Sequence, residues 1–170
     1  IVPATVEIVD LPGLTKGGEG VGNKLLAEVQ TVDALIHVLR CFDDENVPHS
    51  EGSVDPVRDM ELVDLELQVR DLDLVTRKLQ RVEKLMKNGE KDNKKAYEVL
   101  TVYKEALENM QNARDAKVAD EDKKYIQDIQ LLTAKPIMYV CNVDDASALT
   151  GNKYTEAVKA SLKEGDEMLI

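Results

Sequence analysis

The chain has 170 residues, with 22 Lys and Arg against 33 Asp and Glu, which gives a net charge of −11. That length can bury one hydrophobic core, so we expect one domain, or one domain with an insertion. The acidic balance argues against general affinity for DNA or an anionic membrane and leaves local basic patches open. No apolar stretch approaches the ~20 residues that span a bilayer, and no signal peptide opens the chain. We therefore expect a cytoplasmic protein without a membrane partner.

Three nearly continuous apolar runs predict buried strands. Strands that are covered by helices on both faces of a parallel sheet have this pattern, whereas half-exposed strands alternate apolar and polar residues. Helical spacing between and after the runs completes a right-handed strand–helix–strand arrangement. The predicted elements are strand 6–9, helix 23–31, strand 34–39, strand 136–140, helix 154–163 and strand 167–170. Together they indicate a doubly wound α/β sheet.

The region between the second and third strands differs in kind. Apolar residues recur there at steps of three and four, with charges between them: Leu62, Leu65, Val69, Leu72, Val75, Leu79, Val82 and Met86. This spacing predicts a long amphipathic helix whose apolar stripe is narrow enough for coiled-coil packing. Asn88-Gly89 predicts a stop and a turn. A second apolar stripe follows: Tyr97, Leu100, Tyr103, Leu107 and Met110. We expect an antiparallel helical hairpin, and a shorter helix near 121–132 that leads back to the sheet.

Charge is distributed unevenly along this hairpin. Its first helix begins acidic, whereas its end and the following turn are basic: Arg77, Lys78, Arg81, Lys84, Lys87, Lys91, Lys94 and Lys95. Acids at the start of a helix and bases at its end suit the helix dipole, which is the simplest explanation. The alternative is a basic tip that meets RNA or an acidic partner.

A phosphate-binding motif follows the first predicted strand. Asp10-Leu11-Pro12-Gly13 ends that strand, and a glycine-dense stretch at residues 17–23 comes directly after it. In P-loop hydrolases an Asp at this position holds a water on Mg²⁺, and the Gly lets its backbone N–H approach the γ-phosphate because it has no Cβ. We therefore interpret Asp10 as a metal-binding and nucleotide-binding residue and Gly13 as a nucleotide-binding residue.

A second motif, Asn142-Val143-Asp144-Asp145, follows the third predicted strand. Many guanine-nucleotide proteins have Asn-Lys-x-Asp here, where the Asn braces loops and the Asp accepts hydrogen bonds from guanine. Val143 replaces the Lys in this chain. Ligands of open α/β sheets bind at the carboxyl ends of the strands, which favours a role in base binding for Asn142, Val143 and Asp145.

The residue after Gly13 is Leu14, where Ras-like enzymes carry the Gln that orients the attacking water. Leucine cannot orient water, so hydrolysis would need another group. His49, in the loop 45–50, is the candidate catalytic residue, and a merely solvated histidine is the alternative. His37 lies inside a predicted strand and is expected to be a core residue. Cys41 and Cys141 both lie in apolar runs, where buried, reduced thiols are expected rather than a disulfide or a metal site.

These motifs resemble, in order, the YchF branch of the Obg-like P-loop hydrolases, the Obg-like ATPases. The matching segments are Val2-Pro3, Asp10-x-x-Gly13-Leu14, Gly18-Glu19-Gly20-Val21-Gly22-Asn23-Lys24, Arg40-Cys41-Phe42, Asp55-Pro56, Leu132-Thr133-Ala134-Lys135-Pro136 and Asn142-Val143. The resemblance implies a partial Ras-like P-loop sheet with an inserted helical hairpin. It divides the chain into a first part of the nucleotide-binding domain at 1–53, a coiled-coil insertion at 54–133 and a second part of the nucleotide-binding domain at 134–170.

The resemblance also implies a function. Members of this family hydrolyse ATP in preference to GTP, require Mg²⁺, associate with ribosomes and help to regulate translation and stress responses. Asp10 would lie near the metal and Gly13 near the γ-phosphate, while Asn142 and the backbone of Val143 would contact the base. A histidine at the position of His49 is thought to replace the missing Gln. No specific DNA partner is expected.

Three differences from the family leave alternatives open. The Gly-x-x-x-x-Gly-Lys-Ser/Thr loop and the first switch would precede this stretch, and a β-rich domain would follow it, so we expect the chain alone to be inactive. The family has Glu at the position of Asp145, and Asp is what guanine-binding proteins use, so both ATP and GTP remain candidates. The glycine stretch after Leu14 is also shorter than in the family. The competing hypothesis is a non-catalytic helical scaffold with vestigial nucleotide binding.

Overall fold

The computed structural model describes residues 2–11, 27–87 and 93–170. Its sheet has three parallel strands in the order β1 (Leu35–Arg40), β2 (Ile137–Asn142) and β3 (Glu167–Leu169). This confirms the α/β fold class and the strands expected at 34–39, 136–140 and 167–170, each within two residues. Residues 27–31 are helical, which agrees with the end of the helix predicted at 23–31, and the start of that helix lies outside the described residues.

The strand predicted at 6–9 is wrong. Residues 2–11 form no strand in this structure, and Val6 and Ile8 are 79% and 77% exposed. β-Branched residues favour an extended backbone, but a strand is stable only when its N–H and C=O groups pair with a neighbour and one face is covered. In the described part of the chain these residues have neither support. The apolar pattern therefore predicted the wrong element.

The helical hairpin is confirmed. Helix α1 (Pro56–Lys87) and helix α2 (Asn93–Glu108) pack along each other, and they share a core with the segment that follows them. The fully buried residues of this core include Val75 on α1 and Leu100 on α2. Neither helix could keep such a stripe dry alone, so packing rather than helix propensity stabilises the hairpin.

The apolar stripe predicted on α1 is correct only in its second half. Val75 and Val82 are buried and Leu72, Leu79 and Met86 pack beside them, whereas Leu62, Leu65 and Val69 are exposed. Helix α1 has 32 residues and α2 has 16, so α2 covers only the later half. The first half buries a different face: Pro56, Met60, Leu67, Gln68 and Asp71. Met60 packs with the sheet cluster and Leu67 with a cluster at the base of the hairpin.

Helix α2 ends two residues before Met110, which was predicted on its apolar face. Met110 has φ +57° and is 73% exposed. Its N–H donates to the Leu107 carbonyl at 3.1 Å, and the Gln111 N–H donates to the Ala106 carbonyl at 2.9 Å. These two bonds form a Schellman motif, in which the residue past the helix end adopts the left-handed conformation. The helix cap therefore turns Met110 away from the core.

The shorter helix expected near 121–132, which leads back to the sheet, is present as a 3₁₀ helix. A 3₁₀ helix occupies Asp120–Ile129 and a shorter one Leu132–Ala134. Ten residues are unusually many for a 3₁₀ helix, because its hydrogen bonds are poorer than those of an α-helix. Ile126 of the long one is buried, and Tyr125 and Ile129 pack beside it against the hairpin core.

Helix α3 (Lys153–Ser161) follows β2 and confirms the helix predicted at 154–163. The Asn152 side chain accepts hydrogen bonds from the N–H groups of Tyr154 and Thr155, and the Thr155 hydroxyl accepts one from the Asn152 N–H. This reciprocal capping box fixes the start of the helix. Val158, fully buried, then packs α3 against the cluster around Leu39 and Tyr139. No described helix is both long and apolar enough to cross a bilayer.

Candidate functional site at the carboxyl edge of the sheet

The carboxyl ends of β1 and β2 lie side by side. Arg40 pairs with Asn142 in the register, and the Cys41 N–H donates to the Asn142 carbonyl at 2.7 Å. The segments that leave the two strands therefore begin next to each other, at the edge where open α/β sheets bind their ligands. The side chain of Asn142 is exposed at this edge, and that of Val143 packs on the sheet cluster.

The residues after Asn142 have separate roles. Asp144 caps a 3₁₀ turn at Asp145–Ser147, because its Oδ1 accepts a hydrogen bond from the Ser147 N–H at 2.8 Å. Asp145 is exposed in the first turn of that element. The carboxylate available to a ligand at this edge is therefore that of Asp145, whereas that of Asp144 accepts a hydrogen bond from the Ser147 N–H.

Arg40 organises the loop that leaves β1. Its guanidinium donates to the carbonyls of Phe42 at 3.2 Å, Val47 at 2.7 Å and Asp44 at 3.1 Å, and it lies 4.8 Å from the centre of the Phe42 ring. The planar guanidinium can satisfy several carbonyls and stack on an aromatic ring at once. In the sequence, Arg40-Cys41-Phe42 was only one of the segments that resemble the family. The structure shows that its arginine folds the loop back over the end of β1.

The same loop is attached to α3 from the other side. The Asn152 Nδ2 donates to the Cys41 carbonyl at 2.7 Å, and the Tyr154 hydroxyl donates to Asp43 Oδ1 at 2.5 Å. The hydrogen bond from Tyr154, together with the nearby Lys153, lowers the pKa of the Asp43 carboxyl below its ordinary value. The loop is thus bound both to β1 and to the helix that follows the Asn142 motif.

His49 lies further along this loop and is half-buried. Its Nε2 is 2.8 Å from Asp59 Oδ2, and its Nδ1 accepts a hydrogen bond from the Glu51 N–H at 3.0 Å. Asp59 belongs to the first turn of α1. The histidine therefore links the loop at the carboxyl edge to the base of the helical hairpin.

The structure does not bring Asp10 to this edge. Asp10 is exposed, and its neighbour Leu11 packs against the cluster of Val29, Leu67 and Leu132, with Leu35 beside it. Leu35 begins β1 and Leu132 precedes β2, so this cluster lies at the opposite, amino end of the strands. Gly13 lies outside the described residues. The assignments of Asp10 and Gly13 to the nucleotide therefore remain predictions.

The described residues do not by themselves form a complete protein site for the Mg²⁺ ion that the family resemblance implies. Mg²⁺ prefers several oxygen ligands in octahedral geometry. Within residues 2–11, 27–87 and 93–170, no three His, Cys, Asp or Glu side chains converge. Asp10 offers one exposed carboxylate. Mg²⁺ in nucleotide sites is held by one or two carboxylates together with waters and the substrate phosphates, so Asp10 would hold it only beside a bound nucleotide.

Three buried or half-buried groups belong to the sheet core. Burial lowers the pKa of His37, and the nearby carboxylates of Asp64 and Asp59 oppose this shift without cancelling it. Cys41 and Cys141 are buried and unpaired, as expected. Burial raises the pKa of the Cys41 thiol to about 12. These groups are therefore uncharged at neutral pH.

Comparisons with known proteins agree with the motifs. No model of a known protein family matches the chain. It is 40% identical over 163 residues to the ribosome-binding ATPase YchF of Bacillus subtilis, which covers 93% of this chain and 44% of that protein. It is 37% identical over 170 residues to Obg-like ATPase 1 of Caenorhabditis elegans, a match that covers 97% of this chain and 43% of that protein. The structure of the Schizosaccharomyces pombe YchF GTPase matches 91% of this chain and 44% of its own, with TM-score 0.78 and 30% identity.

These comparisons confirm the family resemblance and the partial P-loop NTPase fold. The chain is homologous, along nearly all of its length, to a segment of the YchF-type Obg-like ATPases. It spans less than half the length of the relatives it matches. The names of the relatives include both ATPase and GTPase, so they support nucleotide hydrolysis by the family without choosing the base.

Proposed function

We propose that this homologue of the YchF-type Obg-like ATPases is, in the complete protein, part of a nucleoside triphosphate hydrolase that binds ATP or GTP and associates with ribosomes. One observation carries the proposal. The base-binding motif at Asn142 and the loop that carries His49 leave adjacent strands at the carboxyl edge of the sheet, and both are attached to α3. Two loops that share one rigid support can respond together to a bound nucleotide.

For the base, we assign contacts to Asn142, to the backbone of Val143 and to the exposed carboxylate of Asp145. An aspartate can accept from the N1 and N2 hydrogens of guanine, which adenine does not offer. The dissociation constants of ATP and GTP for the complete protein decide whether the site prefers adenine or guanine. A GTP preference that disappears in Asp145→Ala would assign Asp145 to guanine. Tighter ATP binding that Asp145→Ala leaves unchanged would give ATP as the substrate and remove Asp145 from the site.

For hydrolysis, we assign the catalytic role to His49 in place of the missing glutamine. Replacing His49 with Ala in the complete protein should reduce turnover by about 100-fold, the scale on which one positioned acid–base group contributes. Ser50→Ala is the matched control, since Ser50 is the exposed neighbour in the same loop. Full turnover in His49→Ala would remove this role. Asp10 and Gly13 remain assigned to the phosphate side, and loss of nucleotide affinity in Asp10→Asn would support that assignment.

For the ribosome, we propose the basic hairpin tip as the contact. The described lysines at this end include Lys84 and Lys94, both exposed, and Lys87, whose ammonium pairs with Glu83 at 2.8 Å. Exchanging Lys84 and Lys94 for Glu should weaken co-sedimentation with ribosomes, more strongly at low salt, because contacts to RNA phosphates release counterions. Lys117→Glu, an exposed lysine away from the tip, is the control. Unchanged co-sedimentation would mean that these lysines are only solvated residues that suit the dipole at the helix end.

The scaffold hypothesis has one observation in its favour. Both ring nitrogens of His49 are already engaged by Asp59 and the Glu51 N–H, so in this structure the histidine has no free lone pair. A complete protein without measurable ATP or GTP hydrolysis that still binds ribosomes through the hairpin would support a scaffold. Hydrolysis that depends on His49 would exclude it.

A further inference from the structure

The hydrogen bonds of His49 define the position of its proton. The Glu51 N–H can only donate, so Nδ1 must offer a lone pair to it at 3.0 Å. In a neutral imidazole the other nitrogen then carries the proton, and Nε2–H donates to Asp59 Oδ2 at 2.8 Å. The two contacts together select a single tautomer. The lone pair that could act on water is therefore the one on Nδ1.

Asp59 is held firmly enough to direct the ring. It lies in the first turn of α1, where its N–H donates to the Asp55 carbonyl at 3.0 Å, and a carboxylate is favoured there by the helix dipole. Arg58 donates to its other oxygen at 3.3 Å. The Arg58 guanidinium is itself fixed by the Ser53 carbonyl at 2.6 Å and the Ser53 hydroxyl at 3.0 Å. The carboxylate thus points at the loop from a rigid support.

We propose that Asp59 is the positioning residue for His49. This inference rests on the proposed catalytic role of His49 and extends it. Asp59 accepts the hydrogen bond from Nε2–H and so fixes the orientation of the imidazole ring. Nδ1 is then the atom that accepts a hydrogen bond from the attacking water. The Glu51 N–H occupies Nδ1 in the present arrangement, so the backbone at Glu51 must move away before His49 can act. A carboxylate that orients a histidine whose other nitrogen faces the reaction is a recurring arrangement in hydrolases.

The first test is kinetic and uses the complete protein. Asp59→Ala should lower kcat for nucleotide hydrolysis by about 10- to 100-fold and leave KM nearly unchanged, the range seen when a group that orients a reacting residue is removed. Asp59→Asn should retain more activity than Asp59→Ala, since its Oδ1 can still accept from Nε2–H. The double variant His49→Ala with Asp59→Ala should be no slower than His49→Ala alone, because both changes remove one unit.

The second test reads the tautomer and does not depend on activity. In the complete protein with ¹⁵N-labelled histidine, the His49 ring should show a protonated Nε2 and an unprotonated Nδ1 at neutral pH. Asp59→Asn should keep this tautomer. In Asp59→Ala only the Glu51 N–H still favours it, so a fraction of the Nδ1–H tautomer should become detectable. A protonated Nδ1 in the unmodified protein would overturn the proposal, whatever the folding of any variant.

The outcomes separate this inference from the proposed function. Full turnover in His49→Ala would overturn the catalytic role of the histidine and the inference with it. Reduced turnover in His49→Ala together with full turnover in Asp59→Ala would overturn the inference alone. An Asp59→Ala variant that raises KM and leaves kcat unchanged would also overturn it, since a positioning residue acts on the chemical step.

Discussion

At the scale of single residues, one buried carboxylate joins the hairpin to the segment that leads into β2. Asp71 on α1 is fully buried and accepts hydrogen bonds from the N–H groups of Leu132 and Thr133, both at 2.7 Å, and from the Thr133 hydroxyl at 2.6 Å. Burial raises the pKa of this carboxyl above its ordinary value, although the three hydrogen bonds act to lower it. The Leu-Thr-x-Lys-Pro motif, which identified the family, is therefore the segment by which the sheet is fastened to the hairpin.

Replacing Asp71 with Ala should lower the free energy of unfolding by about 3 kcal/mol, because three buried donors lose their charged acceptor at once. Asp73→Ala, two residues along the same helix and exposed, is the control and should leave stability nearly unchanged. Urea denaturation of the three proteins measures the difference. Equal midpoints for Asp71→Ala and Asp73→Ala would contradict this account of the hairpin base.

His37 should make the stability of the chain depend on pH. The unfolded chain takes up the imidazole proton at its ordinary pKa of 6.5, whereas burial lowers the pKa in the folded state. The unfolded state therefore binds more protons below about pH 6.5, and stability falls as the pH drops through that value; above it, His37 contributes nothing. Urea midpoints at pH 7.5 and 5.5 measure this fall, which should be smaller in His37→Gln. An equal fall in both proteins would assign the effect to other groups.

At the scale of elements, the sequence predicted each described α-helix and the strands β1, β2 and β3. It failed where contacts between distant parts of the chain determine the structure. The steps of three and four made all of α1 a candidate for coiled-coil packing. The length of its partner could not be derived from that pattern, so the exposure of Leu62, Leu65 and Val69 was missed. The burial of Asp71 and Gln68 could not be derived from that pattern either. Only the folded chain brings the Leu132 N–H to Asp71 and the Asn112 side-chain oxygen to the amide of Gln68.

Two leucines of the hairpin should differ sharply in their contribution to stability. Leu100 on α2 is fully buried, so Leu100→Ala should cost about 3 kcal/mol through lost burial and the cavity that remains. Leu65 on α1 is 43% exposed, and Leu65→Ala should cost under about 1 kcal/mol. Urea denaturation of the two variants measures both losses in the free energy of unfolding. Similar losses would mean that α1 is covered over its whole length, as the sequence had predicted.

At the scale of the whole molecule, the sheet has two ends with different roles. At the amino end, Asp71 and Lys135 fasten the hairpin and the preceding helix, since the Lys135 ammonium donates to the carbonyls of Gln30 and Val32 at 3.1 and 2.5 Å. At the carboxyl end, Arg40 and Asn152 order the loops that we assign to the nucleotide. The sequence suggested Asn142 by its motif and His49 as the remaining loop imidazole, and both assignments remain predictions. Their neighbours Arg40, Asp59 and Asn152 could not be identified, because contacts between distant parts of the chain give them their roles.

The central claim is that the carboxyl edge around Asn142 binds the base of a nucleoside triphosphate. Titration of ATP and GTP into the complete protein and its Asn142→Ala variant tests it most directly. The Asn142 side chain is exposed in this structure, so the variant should keep its stability. Loss of the hydrogen bonds that its amide would make to the base corresponds to about tenfold in affinity, so the variant should bind the preferred nucleotide about tenfold more weakly. Unchanged affinity in Asn142→Ala would contradict the account.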